Sequence, residues 1–194
     1  MMADYCVTVH RQTMLKHTIN LLSLLLFSSA LNADVAVIYS LQDKPYFSIE
    51  IPDSWRVNVG SEIDTAQVQE DEQPPPRVIT VMPEEESILW FGAWVPVYLQ
   101  SLDEAQEYLS SLDDFLVDKP VLVKTDDVNL NDMPARYFMG KGERDGKPLD
   151  FFVMLFQLSI DNIGVAIYIG PPATTNAHQD VLCGMMKSIS PIKE

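Results

Sequence analysis

Cysteine, histidine and basic charge are all scarce in this chain, and each shortage closes a class of chemistry. The 194 residues include two cysteines and three histidines. Beyond residue 33 only His178 and Cys183 remain. A zinc site draws three or four ligands from Cys, His and carboxylates, so a His/Cys centre is nearly excluded. Thirteen Lys and Arg face 28 Asp and Glu, a formal charge of −15. That surface repels polyanions, which argues against nucleic acid and anionic lipid as partners. The acidity is distributed, at Asp71-Glu72, Glu84-Glu85-Glu86, Asp113-Asp114 and Asp126-Asp127, as on an ordinary solvated surface. The sequence has no G-x-S-x-G elbow, Walker loop or G-x-G-x-x-G turn, the motifs that signal an acyl-transfer nucleophile or a phosphate cradle. Gly140-Lys141-Gly142 reads as a strand end. Glu84-Glu85-Glu86 lacks the spacing of a Ca²⁺ loop. No catalytic residue, metal ligand or cofactor site emerges, and the chain reads as a non-enzyme.

What is present begins with a processing segment. From Met14 the chain runs MLKHTINLLSLLLFSSALNA: a short basic start, an apolar stretch over Ile19–Phe27 and a small-residue exit. This is the layout of a secretory signal peptide, with cleavage after Ala33 as first choice and after Ala30 as second. The apolar stretch falls short of the roughly 20 residues a spanning helix needs, although an uncleaved signal anchor stays open. Residues 1–33 are therefore assigned to an N-terminal extension and signal peptide, and 34–194 to one globular domain. The expected location is the periplasm or exterior. Cutting after Ala33 removes Cys6, so Cys183 is expected as a lone thiol, buried beside Leu182 as a small hydrophobe.

The centre of the domain is Pro148–Gly170, PLDFFVMLFQLSIDNIGVAIYIG. Two strands, about Leu149–Ser159 and Ile163–Ile169, joined at Asp161-Asn162, carry almost no polar alternation. Such a run implies a sheet covered on both faces. Around it lie further strand patterns. Ala36–Leu41 leads in, Phe47, Ile49 and Ile51 alternate with polar residues before Pro52, and Trp55, Val57 and Val59 open another strand. Gly60–Arg77 is an acidic excursion ending in Pro74-Pro75-Pro76. Val78–Met82 and Ile88–Leu99 follow. Trp90, Trp94 and Tyr98 fall on one face of the latter, with Pro96 among them. Because proline cannot donate to a ladder, this strand is expected at a sheet edge or bulge. The aromatic row is either a partner-binding surface or core beneath a helix. Ser101 and Glu104 form a capping box for a helix whose apolar stripe is Ala105, Tyr108, Leu109, Leu112, Phe115 and Leu116. Val121–Val128 and Ala135–Gly142 are strands, and Asp145-Gly146 is a hairpin signal beside the basic Lys141, Arg144 and Lys147. A last helix, capped by Thr174 or Thr175, places His178, Val181, Leu182, Met185, Met186 and Ile189 on one face.

Three stretches in this order resemble PsbP-like and DcrB-like domains: the opening YFSIEIPDSW, the middle turn NLNDMPARYF and the closing VLCGMMKSISPI. Together they span about Tyr46 to Ile192, with Met133 where the family's turn has glycine. The resemblance implies an α/β/α sandwich, a mostly antiparallel sheet with helices on both faces, and a non-catalytic class of accessory or envelope proteins. The matching stretches are folding elements, so no functional residue carries over. Fold likeness does not fix function, and three readings stay open. The first is an exported, soluble envelope protein that binds another protein, with Trp90, Trp94 and Tyr98 as candidate contact residues and the partner unidentified. The second is a carrier of a small apolar ligand between sheet and helix, near Met154 and Met185. The third is a hydrolase built on scattered carboxylates. For the export reading, the intact mass of protein recovered outside the cytoplasm is expected to match a chain beginning at Asp34. A mass retaining Met14 would identify an uncleaved anchor instead.

Overall fold

The structure, a computed structural model, describes residues 34–60, 77–84, 88–96, 98–111 and 117–192. The signal segment, the acidic proline-rich excursion, Glu85 and Glu86, and Leu112, Phe115 and Leu116 lie outside the described residues. Strands β1 (Asp34–Leu41) and β2 (Lys44–Pro52) form a hairpin, followed by β3 (Trp55–Val59), β4 (Ile79–Pro83), β5 (Trp90–Trp94) and helix α1 (Leu102–Ser111). A meander of four long strands comes next: β6 (Asp118–Leu130), β7 (Met133–Arg144), β8 (Lys147–Ser159) and β9 (Asn162–Gly170). Helices α2 (Pro172–Ala177) and α3 (Gln179–Ser188) and the short β10 (Ser190–Pro191) complete the described chain.

Seven strands build one antiparallel sheet in the order β3-β4-β5-β9-β8-β7-β6, and β1-β2-β10 form a second, smaller sheet. The hairpin chemistry explains the meander. Gln42-Asp43, Asn131-Asp132 and Asp145-Gly146 all have positive φ at both positions, the geometry of two-residue turns whose twist matches that of their strands. Asn131 also ties its turn to the C-terminal end of α3, donating from Nδ2 to the carbonyls of Lys187 and Ile189, both at 2.7 Å.

As the unbroken apolar run implied, β8 and β9 are covered on both sides: Phe152 to Phe156 and Ile163 to Gly170 are all buried. One face, the helix face, carries Phe138, Val153, Val165 and Ile167, in register across β7, β8 and β9 with α1 above them. The other, the hairpin face, carries Tyr137, Phe152 and Tyr168, stacked at 5.5 Å between successive ring centres. On that face the β1–β2 hairpin docks through Phe47, whose ring meets Phe156 edge-on at 5.6 Å. Helix α2 packs over β8 and β9, and α3 packs on β2. Buried Tyr39 stacks on Phe47 at 5.0 Å and donates its hydroxyl proton to the Arg77 carbonyl at 2.7 Å. Burial pushes that hydroxyl up to about 12.

Several expectations need correction. The fold is mostly antiparallel sheet with few helices, and the α/β/α description holds only in part. The hairpin face is covered by a small sheet together with two short helices, because the alternating Phe47, Ile49 and Ile51 supply an apolar strand surface there. The strand expected over Ile88–Leu99 is only β5, and it is interior, paired with both β4 and β9. Pro96 therefore marks where the chain leaves the sheet. The single C-terminal helix is two, broken at His178. The first starts from Pro171-Pro172 with proline at its first positions and no side-chain cap, because proline there gives up an N–H that has no helical partner. In the capping box, Glu104 N donates to Ser101 Oγ at 3.2 Å, but the Glu104 carboxylate accepts from Gln100 N rather than Ser101 N. Cys183 is buried as expected, yet it is disulfide-bonded. The chain's other cysteine lies outside the described residues.

Phe156 is fully buried where the small sheet meets the large one. Phe156→Ala is expected to cost about 3–5 kcal/mol, the usual range for truncating a core phenylalanine. The midpoint of a urea unfolding curve should fall with its slope unchanged. A loss below about 1 kcal/mol would mean the hairpin does not depend on that contact.

Candidate apolar cleft beneath the first helix

The three aromatic side chains singled out in the sequence do not form one exposed row. Trp94 is 3% exposed, and its indole Nε1 has no hydrogen-bond partner. Trp90 is half-buried and folds along its own strand. A Cβ added at Gly92 would stand 2.4 Å from the Trp90 ring, so glycine is what lets the indole lie flat. By register both tryptophans are on the helix face, Trp90 opposite Ile169 and Trp94 opposite Val165. Tyr98 is exposed beyond the end of the strand, edge-on to Tyr108 of α1 at 5.6 Å. Burial and a hydrogen bond with Tyr108 raise its pKa above the ordinary tyrosine value. The structure thus puts two members of the row under the helix layer and one at its rim.

A cleft opens on that face between α1 and the sheet, with a volume of about 220 Å³. Gln106 and Leu109 of α1 form its roof, and Val153, Ile167 and Ile169 its floor. Phe138 and Phe151 wall it, and Val117, Pro120 and Leu122 close the side towards β6. The Phe151 ring lies across Gly140, its register partner on β7; a Cβ at Gly140 would approach it to 2.2 Å and the Val121 carbonyl oxygen to 2.7 Å. Without that glycine the ring could not lie down against β6.

β6 itself is an outer strand of the large sheet, and it exposes Val121 (62%), Leu122 (58%) and Val123 (64%). Two register shifts interrupt its pairing with β7, between Asp118 and Val121 and between Leu122 and Lys124. Lys119 has a positive φ of 50°, and Pro120 offers no N–H. Bulges, lysine and proline are the devices that keep a free edge from recruiting another strand. Leu122, opposite Gly140, is therefore presented as a side chain on the cleft side, and Val121, opposite Lys141, on the hairpin face, with no regular ladder to be extended.

Helix α1 is held over the sheet by Arg136 of β7. Its Nε donates to Asp127 Oδ1 at 2.6 Å, and its Nη1 to Asp103 Oδ1 at 2.7 Å and to Gln106 Oε1 at 3.0 Å. Both carboxylates face water, at 85% and 69% exposure, so each pair is electrostatically weak. The planar fork nevertheless joins two strands and the helix at one point. Hydrogen bonding to Arg136 holds the Asp127 carboxyl below its ordinary value.

Elsewhere, the His178 ring stands edge-on to Trp55 at 5.3 Å. Met154 and Met185 are buried and neither lines the cleft, so the space between helix and sheet lies on the face opposite Met154. Among the described residues no group of three His, Cys, Asp or Glu is arranged to hold a metal. Nor is any helix among them long and apolar enough to cross a membrane. Burial raises the Asp150 carboxyl, partly offset by Lys141 across the strand. Lys141 and Lys147 are exposed, as is Arg144. Sequence reading missed the cleft. Its one local signal was Val121-Leu122-Val123, an apolar triplet ahead of the polar Lys124-Thr125-Asp126-Asp127.

No family model and no curated protein matches this sequence. Solved structures do resemble the fold. The cyanobacterial PsbP (CyanoP) of Synechocystis sp. PCC 6803 superposes with a TM-score of 0.54 at 6% identity, over 75% of this chain and 86% of that one. The protein of unknown function PA94 from Pseudomonas aeruginosa gives 0.48 at 15% identity, over 82% and 99%. LpqN, involved in cell envelope biogenesis of Mycobacterium tuberculosis, gives 0.47 at 12%, over 83% and 91%. The likeness to CyanoP establishes a PsbP-like fold.

The Arg136 fork has a pH signature. Asp127's pKa is lowered in the folded state, so its contribution is complete above the ordinary carboxylate value of 3.8 and fades as pH falls through the lowered value. Amide exchange in α1, referenced to that of β9, is expected to accelerate over that acid range. Arg136→Ala should give the faster exchange already at neutral pH and abolish the extra acid dependence. Unchanged exchange in the variant would show that apolar packing alone seats the helix.

Proposed function

We propose that this chain is an exported, non-catalytic protein-binding module of the cell envelope, related to PsbP-like and DcrB-like proteins. Its docking surface, in this reading, is the cleft under α1 with Leu122 of β6 at its mouth. One observation carries the proposal: a cleft walled by phenylalanine and floored by isoleucine opens to solvent at Leu122, itself 58% exposed on β6. Solitary exposed apolar residues are commonplace; one at the mouth of an apolar pocket is where a partner's side chain would be received. Trp90 and Tyr98 serve at its margins, with Trp94 supporting the floor from within.

Export is supported by the three-part N-terminal segment and by the fold. A cut after Ala33 removes Cys6, the chain's other cysteine, so the disulfide of Cys183 counts against that cut. The PsbP-like fold supports the accessory class only by likeness. The non-catalytic reading is supported by His178, whose ring is committed to Trp55, with no nucleophile placed beside it by any motif.

The same cleft gives the ligand-carrier reading its one favourable observation. Size favours a single inserted side chain over a larger ligand. Small-molecule sites start at about 300 Å³, whereas a dry apolar cavity of about 150 Å³ suffices for benzene. At about 220 Å³ the cleft has room for one ring-bearing side chain of a partner and little more.

A photoreactive p-benzoyl-phenylalanine at position 122 is expected to give one discrete cross-linked adduct in intact cells. The same group at Ile160, 86% exposed on the β8–β9 turn, should give none. Leu122→Asn, made at a largely exposed position, should leave unfolding within about 0.5 kcal/mol of the parent yet lose the partner on co-purification. Adducts of equal yield at both positions, or a variant that keeps its partner, would overturn the assignment.

A further inference from the structure

We infer that the free edge of β1 is a self-pairing site, where a second copy of this chain adds its own β1 antiparallel and merges the two small sheets into one. Among the described residues four strands end a sheet: β3, β6, β1 and β10. β6 is guarded by its register shifts, Lys119 and Pro120. β3 is five residues long with Arg56 among them, and β10 is two. β1 has no such device over Asp34–Ile38, which reads DVAVI, and its register is regular as far as Tyr39. An open edge without bulge, lysine or proline is a template for another strand.

The direction of its backbone groups follows from β2. Tyr46 O accepts from Ile192 N, and Glu50 N donates to Ser188 Oγ. Those residues of β2 turn away from β1, so Phe47, Ile49 and Ile51 turn towards it and bond their register partners Tyr39, Val37 and Val35. Asp34, Ala36 and Ile38 therefore direct N–H and C=O outwards. The Ser40 carbonyl, next in that outward series, accepts from Arg77 Nη1 at 3.2 Å. Apolar surface lies on the same side. Val35 shares the inner face with buried Ile51 yet is 50% exposed. Arg77 Nε also donates to Gly60 O at 3.0 Å, which brings the end of β3 up to this edge. There Val57 and Val59, in register with fully buried Val81 and Ile79, are 36% and 41% exposed, and an added strand lies over them.

A second β1 fits that position by charge. In the antiparallel register centred on Val37, Ala36 exchanges both bonds with the partner subunit's Ile38, and the two Val37 side chains meet at the closer, non-bonded spacing. Asp34 then stands opposite the partner subunit's Ser40, whose carbonyl is held by an arginine. The one acid on the paired segment thus faces a cation, and no like charges meet. The pairing is isologous and closes on a two-fold axis. The cleft is on the opposite face of the large sheet and takes no part.

Amide hydrogen exchange of the full chain over a concentration series, with mass followed by sedimentation equilibrium, tests this. The salt is held at about 0.15 M, where repulsion between two copies of charge −15 is screened within about 8 Å. The mass is expected to rise to twice that of one chain. Protection of the Ala36 and Ile38 amides should rise with it, whereas Val35 and Val37, bonded to β2, stay protected throughout. Ala36→Pro removes one outward donor from each copy and leaves the β1–β2 ladder alone. It should weaken association at least about tenfold with little change in thermal unfolding. If that variant does not fold, Asp34→Lys, at an exposed position, sets two cations against each other and should weaken association several-fold. A chain that stays monomeric at every concentration overturns the inference. So does a dimer that folded Ala36→Pro or Asp34→Lys leaves as tight as the parent, or one in which the Ala36 and Ile38 amides exchange as in the monomer, since the contact then lies elsewhere. Protection of those two amides already in the dilute monomer means that the same chain covers its own edge, and overturns it as well.

Discussion

Everything in this molecule depends on the burial of β8 and β9 from both sides. Val153 faces α1 and Phe152 faces the aromatic stack, and Ile167 and Tyr168 repeat the arrangement on the next strand. A strand with two apolar faces is stable only when something covers each. The demand is met unequally. The hairpin face is filled by Phe47, Phe156 and the two C-terminal helices. The helix face has α1, ten residues long, over a sheet of seven strands. Among the described residues, one short helix does not cover so wide a surface. The cleft, among the same residues, is a part of that surface left open beside α1.

The edge at β6 follows a related logic. A long outer strand beside an apolar opening would ordinarily invite another strand, with aggregation as the outcome. Two pairing irregularities, Pro120 and a left-handed Lys119 remove the regular ladder while leaving Val121, Leu122 and Val123 in view. Side chains are thereby exposed without a backbone ladder beside them. Arg136 performs the complementary task on the other side of the opening. It fixes α1 at its N-terminal end through Asp103 and Gln106, while the roof further along, at Leu109, spans open space.

Much of this was legible in the residues. The Asp145-Gly146 turn, the central strand pair and the start of α1 are local events, settled by φ preferences, apolar periodicity and a cap. The likeness in motif order to PsbP-like domains agrees with the fold observed. The errors came where a local rule had two tertiary outcomes. Pro96 could sit at a sheet edge or simply follow the last residue of an interior strand, and the sequence of β5 is the same in either case. Trp90 and Trp94 satisfied the pattern of an exposed row equally well as that of a buried one. Which it is was decided by Gly92, which lets Trp90 lie flat, and by a helix contributed from further along the chain.

By itself the amino-acid sequence determined the antiparallel meander, the two-sided core and the acidic surface, because each depends on neighbours in the chain or on totals that folding does not change. Only the tertiary structure decided what covers the core. A small sheet stands where a helix was expected, the break at His178 separates two helices, and the cleft occurs on the face opposite Met154. The physical reason is that an apolar stripe specifies that it must be buried without specifying against what. The partner surface is chosen by shape and reach among elements far apart in sequence, and the gap that this choice leaves over β8 and β9 belongs to no single stretch of the chain.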